Sequence, residues 1–171
     1  QKSLKCEATG SIPINVEGGK PPYVITMSAA PAGYSGPTTF IHATEGVFTI
    51  DNLPAGSYSF EVQDDCTYTL HGIPPATVGE IQPLYTLGPI THTASCATDG
   101  VIPIIVKDGA APYTIEMVSH PPAYTGQESF TMLTDGTLDI TGLPNGNYTF
   151  KVKDKCYEET LTAIVNDIPF D

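Results

Sequence analysis

The stretch DNLPAGSYSFEVQDDC, residues 51–66, carries the clearest structural pattern in the chain. Its apolar residues Tyr58, Phe60 and Val62 alternate with polar ones, which is the pattern of a half-buried β-strand. The Leu-Pro-Ala-Gly segment before them is typical of a tight turn, because Pro restricts its own φ and Gly can adopt a positive one. The stretch therefore predicts a hairpin turn that leads into a strand, with Leu53 as a core residue under the turn.

The same pattern recurs 90 residues later as TGLPNGNYTFKVKDKC, residues 141–156. Without any gap, residues 6–66 align with residues 96–156, and 26 of the 61 aligned positions are identical. Such a long ungapped match indicates an internal duplication. We expect two copies of one domain, residues 1–81 and 82–171, joined within the proline-rich segment GIPPATVGEIQP. A single domain with internal symmetry is the alternative.

Alternation of apolar and polar residues recurs in four segments of each copy. In the first copy they lie around residues 12–16, 23–27, 48–50 and 58–62, and each has a counterpart 90 residues later. No segment shows the helical period of about 3.6 residues. The pattern predicts an all-β fold of two tandem immunoglobulin-like β-sandwich domains, each with about six or seven short strands.

Two prolines, Pro13 and Pro103, lie inside the first predicted strand of each copy. Proline has no N–H to donate to a neighbouring strand, so within sheets it occurs at edges or at bulges. We therefore expect this strand to form a sheet edge or to carry a bulge.

The composition is acidic, with 7 Lys, no Arg, 19 Asp and Glu, and a formal net charge of −12. Nucleic acid is therefore not expected as a partner, because binding a phosphate backbone requires Lys and Arg. The same charge opposes docking on anionic membranes. No run of about 18 apolar residues occurs, so no membrane insertion is expected. The start at Gln1, without a signal peptide, suits a mature or trimmed fragment.

The four cysteines form two pairs at equivalent positions, Cys6 with Cys66 and Cys96 with Cys156. Pairing within each copy is the one connectivity of three that keeps the copies equivalent. We therefore predict the disulfides Cys6–Cys66 and Cys96–Cys156, and with them an oxidising compartment. Reduced structural thiols, a metal site and a catalytic thiol are the alternatives. No C-x₂-C pair typical of metal ligation occurs, and the histidines do not recur at matching positions.

The combined pattern C-x₃-G-x-I-x-I-x-V-x-x-G-x-x-P-Y, then L-P-x-G-x-Y-x-F-x-V-x-D-x-C, is present in each copy. It resembles the repeat of SprB-type surface adhesins of Bacteroidetes, which are associated with gliding motility and surface attachment. The matching residues run from Gly10 to Cys66 and from Gly100 to Cys156. The resemblance implies an extracellular β-sandwich. The chain departs from the family in having no Trp and only two copies, and LPxGxY hairpins also occur in carboxypeptidase-regulatory-like and collagen-adhesin B-type modules.

A possible ligand contact lies in the loop SAAPAGYSGPTTF, residues 28–40, and in its counterpart SHPPAYTGQESF, residues 119–130. Tyr34 and Tyr124 occupy the same position in the two loops, although most of their neighbours differ. A loop tyrosine can stack on a sugar or anchor a protein partner. In the alternative, each tyrosine packs on its own sandwich and holds the loop in place.

Acidic side chains raise the alternative of a calcium site, because calcium binds several carboxylate and carbonyl oxygens. The residues concerned are Asp64, Asp65, Asp99, Asp108 and Asp154. No D-x-D-x-D-G loop occurs, and only Asp64 and Asp154 coincide between the copies. A solvated acidic surface is therefore expected, with no metal and no other cofactor.

The sequence has no nucleophile elbow, no phosphate-binding glycine loop and no paired carboxylates near a histidine. An enzyme is therefore not expected. The leading hypothesis is a non-catalytic extracellular adhesion or spacer module of a bacterial surface protein, with an unidentified protein or glycan at the cell surface as partner. The alternative is a carbohydrate-binding module or an accessory domain of a secreted polysaccharide-degrading protein. Zero Trp opposes this alternative and nine Tyr favour it.

Overall fold

The computed structural model describes residues 1–71, 73–94 and 97–168, and the regular elements in these ranges are all β-strands. This part of the chain contains no helix long and apolar enough to cross a membrane. The chain divides into two compact units, Gln1–Ile81 and Gln82–Asp171, called unit 1 and unit 2 below.

Within the described ranges each unit contributes nine strands, several of them only two residues long. Those of unit 1 are β1 (Ser3–Leu4), β2 (Gly10–Val16), β3 (Tyr23–Ala29), β4 (Thr39–His42), β5 (Gly46–Leu53), β6 (Gly56–Gln63), β7 (Thr69–Leu70), β8 (Ala76–Val78) and β9 (Glu80–Ile81). Those of unit 2 are β10 (Leu84–Leu87), β11 (Thr93–Ala94), β12 (Gly100–Lys107), β13 (Tyr113–Ser119), β14 (Ser129–Met132), β15 (Gly136–Leu143), β16 (Gly146–Lys153), β17 (Glu158–Val165) and β18 (Asp167–Ile168).

The described strands of each unit form two main antiparallel sheets and one short parallel pair. In unit 1, β2 pairs with β5, while β4, β3 and β6 form the other sheet and both β7 and β8 pair with β6. In unit 2, the sheets have the orders β10-β12-β15 and β14-β13-β16-β17. The parallel pairs are β1 with β9 and β11 with β18. The fold is thus all-β and consistent with a β-sandwich.

The strand registers of the two units match at an offset of 90 residues. Gly10 pairs with Leu53 as Gly100 pairs with Leu143, and in both cases a register irregularity follows the glycine. A side chain does not fit at this glycine: a Cβ on Gly100 would lie 2.7 Å from the Leu143 carbonyl oxygen. The bulge and the glycine therefore belong together in both units.

The cores consist of the side chains that the alternating pattern places on the inner face. Leu53 and Leu143, under their hairpin turns, are completely buried. The core of unit 1 contains Ile12, Val16, Tyr23, Ile25, Met27, Ile50, Leu53, Tyr58, Phe60 and Val78. The core of unit 2 contains the counterparts of all of these except Val78, together with Tyr85, Ile104, Tyr124, Val152, Ala163 and Val165.

The strand that contains the proline lies at an edge in unit 1 but not in unit 2. Strand β2 pairs only with β5 among the described strands, as the proline predicts. Strand β12 lies between β10 and β15 and is therefore not an edge, but it carries the register irregularity between Gly100 and Ile102, which is the other arrangement that the proline predicts. Pro103 is tolerated because the last β10 pair joins Leu87 to Ile104, and beyond it the Pro103 carbonyl accepts a hydrogen bond from Gly88 N at 2.8 Å.

The cysteines also differ from the prediction. Cys66 has a free, exposed thiol in the turn after β6, whereas Cys6 and Cys156 are both disulfide-bonded. Because the thiol of Cys66 is free, the predicted disulfide Cys6–Cys66 is absent. The predicted partner of Cys156, Cys96, lies outside the described residues.

Candidate functional site

The loop between β3 and β4 holds Tyr34 by three contacts. Its backbone N–H donates to the Pro31 carbonyl at 2.9 Å, and its hydroxyl donates to the Pro37 carbonyl at 2.5 Å. Its ring meets Tyr58 edge to face, with the ring centroids 6.0 Å apart. Burial raises the pKa of Tyr34. A Cβ on Gly36 would lie 2.7 Å from the Tyr34 hydroxyl, so the loop closes over this side chain.

The counterpart Tyr124 makes the same contacts and is more deeply buried, with 7% of its surface exposed. Its N–H donates to the Pro121 carbonyl at 3.0 Å and its hydroxyl to the Gln127 carbonyl at 2.7 Å. Its ring lies 6.2 Å from that of Tyr148, edge to face. In both units the tyrosine hydroxyl and one edge of the ring therefore contact residues of the same unit. These contacts agree with the alternative in which each tyrosine packs on its own sandwich and holds the loop in place.

The matched aspartates, Asp64 and Asp154, accept hydrogen bonds from backbone N–H groups in the turns that follow β6 and β16. The Asp154 carboxylate is 4% exposed and accepts hydrogen bonds from Ala110 N at 2.8 Å, Cys156 N at 2.6 Å and Tyr157 N at 2.6 Å. Burial alone would raise the pKa of Asp154, but these bonds, with that of Cys156 N first, outweigh it and lower the pKa.

In unit 1, Asp64 accepts from Lys20 N at 3.2 Å and from Tyr68 N at 2.9 Å. The pattern matches Asp154 once Tyr68 is aligned with Tyr157, and the two backbone bonds from Asp64 N to the Tyr68 carbonyl and from Asp154 N to the Tyr157 carbonyl support this alignment. Unit 1 thus has one extra residue in this turn.

The other three aspartates, Asp65, Asp99 and Asp108, also contact nearby residues of their own units. Asp65 forms an ion pair with Lys20 at 2.6 Å, and Asp108 lies 3.8 Å from Lys107. Asp99 accepts from the Thr93 hydroxyl at 2.6 Å, and this bond lowers the pKa of Asp99. Within residues 1–71, 73–94 and 97–168, no group of three or more His, Cys, Asp or Glu side chains is placed to hold a metal ion.

One edge of β2 has no neighbouring strand among the described residues, as the proline predicts. In unit 2, β10 covers the equivalent edge and pairs Leu84–Leu87 antiparallel with Ile104–Lys107. In unit 1 no strand among the described residues pairs with Ile14–Val16 on that side. Near the start of β2, Gln1 and Ser11 form two backbone hydrogen bonds, as Thr91 and Val101 do in unit 2.

The open edge borders an apolar cavity of about 470 Å³. Tyr23, Val62, Asp64 and Tyr68 form part of its wall. The equivalent space in unit 2 is occupied by Tyr85 of β10. That side chain is 3% exposed, and its ring lies 6.0 Å from Tyr113 and 5.6 Å from Tyr157. Burial and the neighbouring Asp154 carboxylate raise the pKa of Tyr85.

Side chains that β10 covers in unit 2 are less buried in unit 1. Ile104 and Val152 are completely buried, whereas their counterparts Ile14 and Val62 are only half-buried. Tyr68 is 71% exposed, while Tyr157 is half-buried against Tyr85. The cavity is therefore the place that a strand and its tyrosine occupy in unit 2. The available signal in the sequence was the short segment Leu84–Leu87, whose residues favour a strand and which precedes the second copy outside the aligned repeat.

Comparison with known proteins identifies no family. No family model matches the chain, and no curated protein matches it. Among solved structures, a chain described as "Biofilm associated protein - BSP domain" is similar, with 15% sequence identity and a TM-score of 0.35. The alignment covers 98% of this chain and 29% of that one, so this chain spans less than a third of that protein. No function is assigned on this similarity.

Proposed function

We propose that the chain is a non-catalytic extracellular module of a bacterial surface protein, acting in adhesion or as a spacer. It would consist of two tandem immunoglobulin-like β-sandwich domains, residues 1–81 and 82–171, of the type that SprB-like repeats represent. The partner would be an unidentified protein or glycan at the cell surface.

The supporting observation is that the side chains common to both copies have structural positions. Tyr58 and Tyr148 are buried, and each donates a hydrogen bond to the proline carbonyl of its own hairpin at 2.7 Å. Tyr34 and Tyr124 are tied into their loops as described above. The side chains that recur in both copies thus maintain the fold of each copy. A spacer or an adhesion array requires such a series of stable domains.

Two further properties fit a surface protein. The disulfide-bonded state of Cys6 and Cys156 suits an oxidising environment outside the cytoplasm. The net charge of −12 keeps the outer faces hydrated and discourages non-specific association with anionic surfaces.

Surface display tests the proposal. A non-adherent bacterium would carry the chain on a membrane anchor, either alone or beneath a separate domain that binds a known ligand, and cells would be counted under flow. Adhesion predicts that the chain alone increases retention. A spacer predicts increased retention only when the chain lies beneath the binding domain. Equal retention with and without the chain in both formats would contradict both.

The matched control is an unrelated β-sandwich pair of the same length on the same anchor. A glycan array run on the purified chain separates the carbohydrate-binding alternative. Reproducible glycan binding that Tyr34→Ala and Tyr124→Ala abolish without loss of folding would favour that alternative over the proposal.

A further inference from the structure

We propose that the outer face of the four-stranded sheet of unit 2 binds an acidic polysaccharide whose sugar units carry a carboxylate. Lys151 and Lys153 bind the carboxylate, while Thr114, Glu116 and Glu158 bind sugar hydroxyls. This inference goes beyond the proposed function and is independent of it, because a spacer can carry such a site and an adhesion module can act without it.

The site is a cavity on the outer face of β13, β16 and β17. Its volume of about 610 Å³ falls in the range of pockets that bind small molecules, about 300–1,000 Å³. Ile115 and Val152 are completely buried, so the residues next to them on β13 and β16 point away from the core. The residues that line the cavity include Lys151, Lys153, Lys155, Thr114, Glu116 and Glu158.

The cavity concentrates positive charge in an acidic chain, since three of the seven lysines line it. Lys151 Nζ lies 3.2 Å from Glu158. Lys153 is exposed, and its ammonium group forms no ion pair within the described residues, so it can bind an incoming carboxylate. Because the Debye length at physiological salt is about 8 Å, a ligand in the cavity responds to these lysines more than to distant acidic side chains.

The acidic residues of the cavity favour a sugar acid over a densely charged anion. Glu116 lies opposite Lys151 and Glu158 lies opposite Lys153 in the strand register, and ionised carboxylates accept hydrogen bonds from hydroxyl groups. Asp154 does not compete for the lysines, since its carboxylate already accepts three backbone hydrogen bonds. A ring with one carboxylate and several hydroxyls fits this mixture, whereas a sulfated or phosphorylated chain would be repelled by the glutamates.

The sheet topology favours a glycan over an acidic peptide. A peptide that binds by strand addition needs an unpaired strand edge. Strand β13 lies between β14 and β16, and β16 lies between β13 and β17, so the backbones of both strands are already paired on each side. Recognition at this cavity therefore depends on side chains alone, which suits a ligand that carries its own hydroxyl and carboxylate groups.

Unit 1 has the same strands without the same charges. The positions 90 residues before Thr114, Glu116, Lys151, Lys153 and Lys155 are occupied by Val24, Thr26, Glu61, Gln63 and Asp65. None of these is a lysine, although the buried residues between them recur in both units. Binding is therefore expected in unit 2 alone, and unit 1 serves as an internal control.

A titration followed by nuclear magnetic resonance tests the inference. The probe is a trimer of galacturonic acid, added to the ¹⁵N-labelled full chain. Amide shifts are expected at Thr114, Lys151 and Lys153, with none at Glu61 and Gln63. The methyl-esterified trimer keeps the rings and hydroxyls but has no charge, and it should bind at least about fivefold more weakly.

Two variants of the chain separate local contact from net charge. Lys153→Gln should raise the Kd for the trimer about fivefold without changing the melting temperature, because the side chain is exposed. Lys107→Gln is the matched control, since it removes the same charge from the same unit but lies on β12 and does not line the cavity.

Four outcomes would overturn the inference. The first is no shift at about 5 mM trimer, a concentration that detects weak complexes. The second is equal binding of the trimer and its methyl ester. The third is equal weakening by Lys107→Gln and Lys153→Gln, because net charge would then explain the binding. The fourth is tighter binding of a pentaglutamate peptide to the same residues, because the partner would then be an acidic protein.

Discussion

In each hairpin turn one glycine, Gly56 or Gly146, occupies a position where a side chain would collide with the neighbouring loop. Gly56 and Gly146 have φ angles of 146° and 141°, which are strained for residues with a side chain. A Cβ on Gly56 would lie 2.7 Å from Pro31 Cβ, and one on Gly146 would lie 2.3 Å from Pro121 Cγ. The turn glycine thus allows the tyrosine loop to pack on the hairpin.

Replacing Gly56 with Ala should therefore destabilise unit 1 by about 1–3 kcal/mol, through a strained φ and a contact with Pro31. Chemical denaturation followed by far-UV circular dichroism measures this change. The matched control is Gly33→Ala in the same unit, because a Cβ there has no neighbour within 4 Å. Equal stabilities of the two variants would contradict the steric explanation.

The loop tyrosines can be tested in the same way. Tyr124→Ala should cost about 3–5 kcal/mol because it removes a buried ring, and Tyr124→Phe about 0.5–1.5 kcal/mol because it removes one hydrogen bond. Thermal unfolding measures both. A Tyr124→Ala variant with an unchanged melting temperature would instead indicate a residue reserved for a ligand.

The buried carboxylate of Asp154 should make the free energy of unfolding of unit 2 depend on pH in the acid range. Its pKa is lowered in the folded unit, so its contribution is fully present above the unfolded pKa of about 3.9 and is lost as the pH falls through the lower folded value. Asp154→Asn should lose about 1–3 kcal/mol at pH 7 and show a flatter stability profile below pH 4. The control is Asp139→Asn, an exposed position. Parallel profiles for Asp154→Asn and the unchanged chain would refute this role.

At the scale of elements, strand positions followed from the sequence but the neighbours of each strand did not. Apolar alternation located β2, β3, β6 and their counterparts, because each side chain's orientation depends on its own strand. For β12 the proline predicted either an edge or a bulge, and it did not determine the edge status. That status depends on β10, a segment outside the repeat whose four residues carry no sign of their partner.

Removing Tyr85 tests how much β10 contributes. Tyr85→Ala should destabilise unit 2 by about 3–5 kcal/mol, because it empties the space between Tyr113 and Tyr157. Hydrogen exchange should show faster opening of β12 and β16 and unchanged protection in unit 1. Equal loss of protection in both units would contradict a local role.

At the scale of the whole molecule, the two units have separate cores and separate sheets. Pulling on the reduced chain should therefore give two unfolding steps of about 25–30 nm each, from roughly 3.5 Å per extended residue. Single-molecule force spectroscopy measures the steps. One step of about twice that length would show that the halves unfold as one domain and would count against a spacer of two modules.

The sequence alone determined that the chain is all-β, where its principal strands and turns lie, and which side chains face the cores. These features depend on period-two alternation and on Gly and Pro, which act within a few residues. The tertiary structure alone decided which edge is covered, that Cys66 is a free thiol, and that a cavity lies beside β2. Each of these depends on contacts between segments distant in sequence, where the geometry of the assembled sheets selects the partner.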